Sequence, residues 1–288
     1  MSAGGPGADG LGRVALLGTG LIGGSFAAAL KRQRLAARIV GFSPDDAQAA
    51  LQLGLVDEIA DSAQVAVSGC DTVVLAAPVS ANIALLAQIG AALPPGALVT
   101  DVSSVKLGVV EAARRHLGDA LPGFVPSHPI AGSERSGPQA ADADLFVDRT
   151  VILSPLETSE PAKVARLEQI WQRCGAMVRR LSPQEHDRVY ALVSHWPHAL
   201  GFALAAAVAG NRVDNDLVGQ GLLDLTRTAA SSPELWTDIL LQNARPVLQA
   251  ADLVAEELGS IRDAVERGDR SALTALFARA AAWRNRVG

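Results

Sequence analysis

The sequence predicts an α/β fold in two parts: a Rossmann-type dinucleotide-binding domain followed by an all-α domain. Three observations lead there. A glycine fingerprint follows directly on an apolar run near the N-terminus, and short apolar runs then alternate with helical patterns as far as residue 181. Beyond Ser182 the β-branched runs vanish and helical periodicity takes over. At 288 residues the chain also exceeds what one hydrophobic core usually holds. The expected division is a flexible tail over 1–12, a dinucleotide-binding domain over 13–181, and a helical substrate and dimerisation domain over 182–288.

The first strand is expected at 14–17, leading into Gly18-Thr19-Gly20-Leu21-Ile22-Gly23 and a helix of small residues. Each glycine has its own job in such a site. Gly18 permits the tight turn, Gly20 lets the backbone approach a pyrophosphate, and Gly23 lets helix and strand pack closely. Free N–H groups at the helix start then face the anion, so all six residues are candidate cofactor contacts. A second strand is expected at 38–42 and a third at 71–77, stopped by Pro78. A helix at 82–93 ends in Pro94-Pro95-Gly96, and a strand follows at 97–101. Further strands are expected at 124–126, 150–153 and 176–181, with a helix at 161–174. In the second part, Ser182-Pro183 and Ser232-Pro233 each read as a cap followed by a proline in the first turn. Arg270-Ser271 is expected to precede the last helix.

About 20 positions past the fingerprint, an Asp or Glu usually holds the ribose of NAD. Here that place falls on Ser43, which leans the cofactor toward NADP. Against it stand Pro44, Asp45 and Asp46, and no arginine follows directly to pair with a 2′-phosphate. The strand ends of a parallel sheet hold ligands, so Ala77, Pro78 and Ser103 are further candidate cofactor contacts.

Composition excludes several classes. A net charge of −5 argues against a nucleic-acid partner, which demands a basic surface. The two cysteines, Cys70 and Cys174, lack metal or redox spacing and read as buried thiols of a reducing, cytoplasmic protein. The first 12 residues lack a signal peptide's basic and apolar regions. Residues 189–211 form a 23-residue stretch without Asp, Glu, Lys or Arg, long enough to cross a bilayer. His195, Pro197 and His198 near its middle argue instead for a helix buried between subunits or domains, hence a homodimer and no membrane.

Two histidine motifs remain, Ser127-His128-Pro129-Ile130-Ala131-Gly132-Ser133-Glu134 and Ser194-His195-Trp196-Pro197-His198, with Asp101-Val102-Ser103-Ser104-Val105-Lys106 between them and the fingerprint. Alone, His128 reads as a strand cap, Ser104 as a turn residue and Arg227 as half of a surface ion pair. His195 and His198 stand three apart on one helical face, yet no third ligand has metal spacing, so no metal is expected.

With GTGLIGGS, DVSSVK, HPIAGSERSG, SHWPHA and LTRTAASSPELW in this order, the chain resembles the prephenate/arogenate dehydrogenase family of tyrosine biosynthesis. The resemblance runs from about Arg13 through Trp236 and most of the chain beyond. It implies oxidative decarboxylation of a cyclohexadienyl substrate with NAD(P)+ as hydride acceptor, with the cofactor between the two domains. It implies that His128 accepts the proton of the ring hydroxyl and that Ser104 holds His128 or that hydroxyl in register. Arg227 would bind a substrate carboxylate with its planar fork. His198, His195, Ser133 and Glu134 would line the substrate site, with Trp236 either in the pocket or in the core. Pro197 is expected to kink its helix and free a carbonyl. The unperturbed pKa of histidine, ~6.5, suits such a base. A β-hydroxyacid dehydrogenase or imine reductase, and a catalytically silent nucleotide sensor, are the competing readings.

Overall fold

In a computed structural model, residues 10–287 are described apart from Ser133, Glu134 and Arg212. The expected roles of Ser133 and Glu134, and residues 1–9 of the expected tail, therefore lie outside the described residues. The rest of that tail is not loose. Leu11 is fully buried in the core, its N–H bonds the Leu35 carbonyl at 2.6 Å, and Thr72 Oγ1 donates to its carbonyl at 2.9 Å.

Among the described residues the first part holds β1 (Arg13–Leu17), α1 (Leu21–Arg32), β2 (Arg38–Phe42), α2 (Ala47–Gln52), β3 (Glu58–Ile59), α3 (Ala63–Val67), β4 (Thr72–Leu75), α4 (Val79–Ile89), β5 (Leu98–Asp101) and α5 (Leu107–His116). Their strands form one parallel sheet in the order β3-β2-β1-β4-β5. Alternate residues of β1 enter different cores: Val14 and Leu16 pack on one face, Ala15 and Leu17 on the other. Burial on both faces is why this strand reads as an unbroken apolar run without alternation.

A second sheet follows, built from β6 (Ser127–Pro129), β7 (Thr150–Leu153) and β8 (Met177–Arg180), with α6 (Pro161–Arg173) before β8. It departs from the expected all-parallel pattern, because β6 runs antiparallel to β7. The strand expected at 124–126 is a bridge between sheets. Phe124 pairs singly with Val99, and Val125 N–H bonds the Val99 carbonyl at 2.8 Å. Pro126 has no N–H to continue the ladder, so pairing resumes only at Ser127.

The helical part comprises α7 (Pro183–Tyr190), α8 (Trp196–Gly210), α9 (Gln220–Thr226), α10 (Pro233–Gln242), α11 (Ala244–Glu266) and α12 (Arg270–Arg284). Ser182 Oγ accepts from Glu185 N–H and Ser232 Oγ from Leu235 N–H, both at 3.2 Å. The last helix starts at Arg270 itself, capped by Asp269, whose carboxylate accepts from Ala272 N–H at 2.9 Å. Between α7 and α8 the chain makes a π turn over Ala191–His195 and stays helical from Pro183 to Gly210. Pro197 follows directly on this wider turn, at the start of α8, where its missing N–H is accommodated. This is the one helix among the described residues with the length and composition to cross a membrane, and 17% of its most apolar window is buried within the chain.

Candidate active site

At the cofactor end each glycine meets a different neighbour. A side chain at Gly18, whose φ is +101°, would lie 2.5 Å from the Ala76 carbonyl carbon, so only glycine lets β1 end against β4. One at Gly23 would lie 2.1 Å from the Gly18 carbonyl oxygen, so this glycine seats α1 on the turn. At Gly20 there is open space, bounded among the described residues by Asp46 Oδ2 at 3.9 Å. The first N–H groups of α1 have no partner within the helix, and they face that space from the positive end of a 12-residue helix. An open cradle beside free N–H donors fits a dinucleotide pyrophosphate, with Leu21 and Ile22 presenting backbone.

Beneath the same edge of the sheet, past the ends of β4 and β5, lies a buried polar framework. Asn82 is fully buried; its Oδ1 accepts from Ala77 N–H at 3.1 Å and its Nδ2 donates to Ser103 Oγ at 2.8 Å. Lys106 is fully buried as well, with its ammonium on the Asp101 carboxylate and on the Ser127 carbonyl at 2.6 Å. That ammonium ties the turn after β5 to the start of β6. Burial lowers the Lys106 pKa, and the adjacent Asp101 opposes this.

His128 stands on β6 opposite Ile152, and its Nδ1 lies 2.8 Å from Nε2 of His186 on α7. His186 Nδ1 in turn lies 2.8 Å from Asp187 Oδ1. Asp187 also accepts the N–H of Lys106 and of Leu107, each at 2.8 Å, where α5 begins. Burial pushes His186 down to about 2 and holds His128 well below the ordinary histidine value, helped by neighbouring His186 and the Lys106 charge. Both rings are therefore neutral near neutrality. Burial pushes the Asp187 carboxyl up, against the pull of its backbone donors.

The far end of the candidate site is set by α8 and the turn after α9. A side chain at Gly201 would lie 2.4 Å from Thr228 Oγ1, so glycine there lets the turn at 227–230 close on α8. His198 donates from Nδ1 to the Ser194 carbonyl at 2.8 Å and stacks on Trp236 with ring centroids 3.5 Å apart. Burial lowers its pKa, and the Arg227 charge lowers it further.

The sequence matches the family model for the prephenate dehydrogenase nucleotide-binding domain over residues 26–180. It matches the prephenate dehydrogenase dimerization domain over 182–279. It is 36% identical to a prephenate dehydrogenase of Bacillus subtilis over 94% of this chain and 75% of that one. The chain belongs to the prephenate dehydrogenase family. A cyclohexadienyl dehydrogenase of Zymomonas mobilis is 35% identical over 89% of each chain. Among solved structures, the prephenate dehydrogenase of Aquifex aeolicus in complex with hydroxyphenyl propionate and NAD+ superposes with a TM-score of 0.88. It is 31% identical, over 96% of this chain and 98% of that one.

Several residues sit differently in this prephenate dehydrogenase family member from what the sequence suggests. Thr19 is fully buried with its side chain turned to Gly41, and Ser103 is 4% exposed and held by Asn82, so neither side chain faces a cofactor. Ser43, Ala77 and Pro78 stay at the accessible strand ends. The partner of His128 Nδ1 is His186, which leaves Ser104 the other expected role, at the substrate hydroxyl. The Ser104 backbone acts on His195, whose proton affinity it raises. His195 is 1% exposed, with Nδ1 on Asn243 at 3.0 Å, and burial pushes it down to about 4. It is a core residue of this chain, not part of an open wall. Sequence reasoning passed over His186, Asp187, Asn243 and Lys106. Adjacent His and Asp beside the long uncharged stretch were the available signal, but helix phase against β6 is not written in the sequence.

Proposed function

We propose that this chain oxidises prephenate to 4-hydroxyphenylpyruvate and carbon dioxide, using NAD(P)+. The observation that carries this reading is a neutral imidazole, His128, held where the second sheet meets the helical part. Oxidising an alcohol needs a base that is unprotonated before the reaction begins, and burial supplies that state here. When bound, the nicotinamide accepts the hydride. His128 takes the proton of the ring hydroxyl, Arg227 binds a carboxylate of the substrate, and His198, fixed on Trp236, lines the same end. Gly20 and the start of α1 hold the pyrophosphate.

The cofactor preference turns on Asp46. The absence of an acidic residue at Ser43 leaned toward NADP, but the Asp46 carboxylate beside Gly20 takes over the repulsion of a 2′-phosphate. We therefore favour NAD. Arogenate is the second reading, supported by the 35% identity to a cyclohexadienyl dehydrogenase.

A homodimer accounts for the outward apolar side chains of the helical part, among them Leu192, Val193, Leu204, Leu223 and Leu225. Light scattering that gives a single-chain mass overturns it. The enzymatic test is turnover of prephenate and of arogenate with each cofactor, read as reduced nicotinamide. Turnover of neither substrate removes the activity and leaves the fold.

A further inference from the structure

Resting on this reading, the chemistry sets an unusual demand on the base. The O–H bond of the ring alcohol breaks, and the C–H electron pair leaves as hydride to NAD(P)+. The bond to the ring carboxylate then breaks, carbon dioxide departs, and its electron pair completes the aromatic ring. The same oxygen, now a phenolate, takes a proton back. One proton is lent and returned, so the base must hold it in a fixed place.

The hydrogen bonds behind His128 assign that place atom by atom. Both oxygens of Asp187 accept N–H groups, Oδ1 from Lys106 and Oδ2 from Leu107, and two such donors favour the ionised carboxylate, which only accepts. His186 Nδ1, 2.8 Å from Oδ1, is therefore the donor. The ring of His186 is neutral, which leaves a lone pair on its Nε2. His128 Nδ1, 2.8 Å from that lone pair, must carry hydrogen. The lone pair of His128 is then on Nε2, at the opposite edge of the ring.

We propose that His186, backed by Asp187, is the positioning residue that holds His128 in its Nδ1–H tautomer and steadies the imidazolium while the proton is on loan. Neither residue touches the substrate. His186 and Asp187 are fully buried, so the chain ends on backbone amides inside the protein and the proton has no exit to water through it. Tyr190, with its ring 5.2 Å from His128 and 4.6 Å from His186, closes one side of the pair.

Nitrogen-15 NMR of the ligand-free wild-type protein reads the tautomers directly, with Nδ1–H expected on both His128 and His186. Replacing His186 by leucine is expected to lower kcat by about 10- to 100-fold, the usual cost of losing a residue that orients a reacting group. KM and the directly measured affinity for NADH should stay unchanged. His186→Gln, which keeps an acceptor for Nδ1–H, should recover part of kcat. An Nε2–H tautomer at His128 in the wild type overturns the proposal, as does undiminished kcat in a folded His186→Leu variant. Should that variant not fold, the wild-type tautomer decides alone. Should the wild type turn over neither substrate, the functional reading fails while the NMR result still judges the hydrogen-bond chain.

Discussion

The glycine turn and the histidine cluster are the two halves of the candidate site, and they carry their signals over different distances. Gly18, Gly20 and Gly23 lie within six residues and carry their signal in the turn, in the positive φ of Gly18 and the approach of Gly23 to the Gly18 carbonyl, although the neighbour that excludes a side chain at Gly18 is Ala76, just beyond β4. Around His128 the partners are 58 residues away at His186, and His186's neighbour Asp187 reaches back 81 residues to Lys106. Asn243 lies 56 residues from Asp187 and bonds its carbonyl at 2.9 Å. A turn is set by its own backbone angles, so its logic is local. A buried polar cluster must satisfy every donor and acceptor, and only the assembled tertiary structure brings the partners together.

Breaking the histidine end should have the largest effect. His128→Asn is expected to cut kcat by about 10²- to 10⁴-fold, the usual worth of a general base, with NADH affinity retained in a fluorescence titration. Equal loss of cofactor binding would remove His128 from that role. Arg227→Ala should raise KM for prephenate by about 10- to 100-fold, the worth of charge-assisted hydrogen bonds, with a smaller fall in kcat. An unchanged KM takes Arg227 out of the substrate site.

The glycine turn can be split by two substitutions. Gly23→Ala should destabilise the fold by ~1–3 kcal/mol, because the overlap with Gly18 outweighs the gain of up to about 1 kcal/mol from helix propensity. Gly20→Ala meets Asp46 Oδ2 at an ordinary contact distance and should leave Tm alone while weakening NADH binding. Equal Tm values for the two variants would erase the distinction. A milder change, Asp46→Ala, should move relative affinity from NADH toward NADPH; an unmoved ratio returns the choice to other residues.

The smallest effect is on stability against pH. His195 and His186 are held neutral by burial, with pKa values pushed down to about 4 and about 2. The unfolded chain binds protons at these rings below ~6.5, so their stabilising contribution is full above that pH and falls away below it. The loss continues as pH drops through about 4 and toward about 2. Thermal melts should therefore shift down steadily from pH ~6.5 to pH ~4. A flat profile over that window would contradict the buried neutral rings.

Much of the first domain was legible because each signal is short-ranged. The strands at 38–42 and 150–153 match the sequence reading residue for residue, and both serine caps make their expected bonds. Short elements escaped notice: α2, β3 and α3 span six, two and five residues, too few for a period to stand out. The tail reading missed Leu11, since one apolar residue among glycines gives no pattern, yet the core has a place for it. His195 and His198 look alike in sequence, three apart on one helix. The structure separates them, one sealed beneath Asn243 and the other stacked on Trp236.

By itself the sequence determined the order of the elements, the glycine turn and the change from α/β to all-helical structure near Ser182. Those features follow from backbone angles and from hydrophobic period, which neighbouring residues set. Tertiary structure alone decided which histidine meets which partner, that Ser103 and Thr19 turn inward, and that Asp46 reaches the turn at Gly20. Pairing of buried polar groups depends on where separate segments come to rest, and a shift of one residue along α7 would carry His186 about 100° around the helix, away from His128.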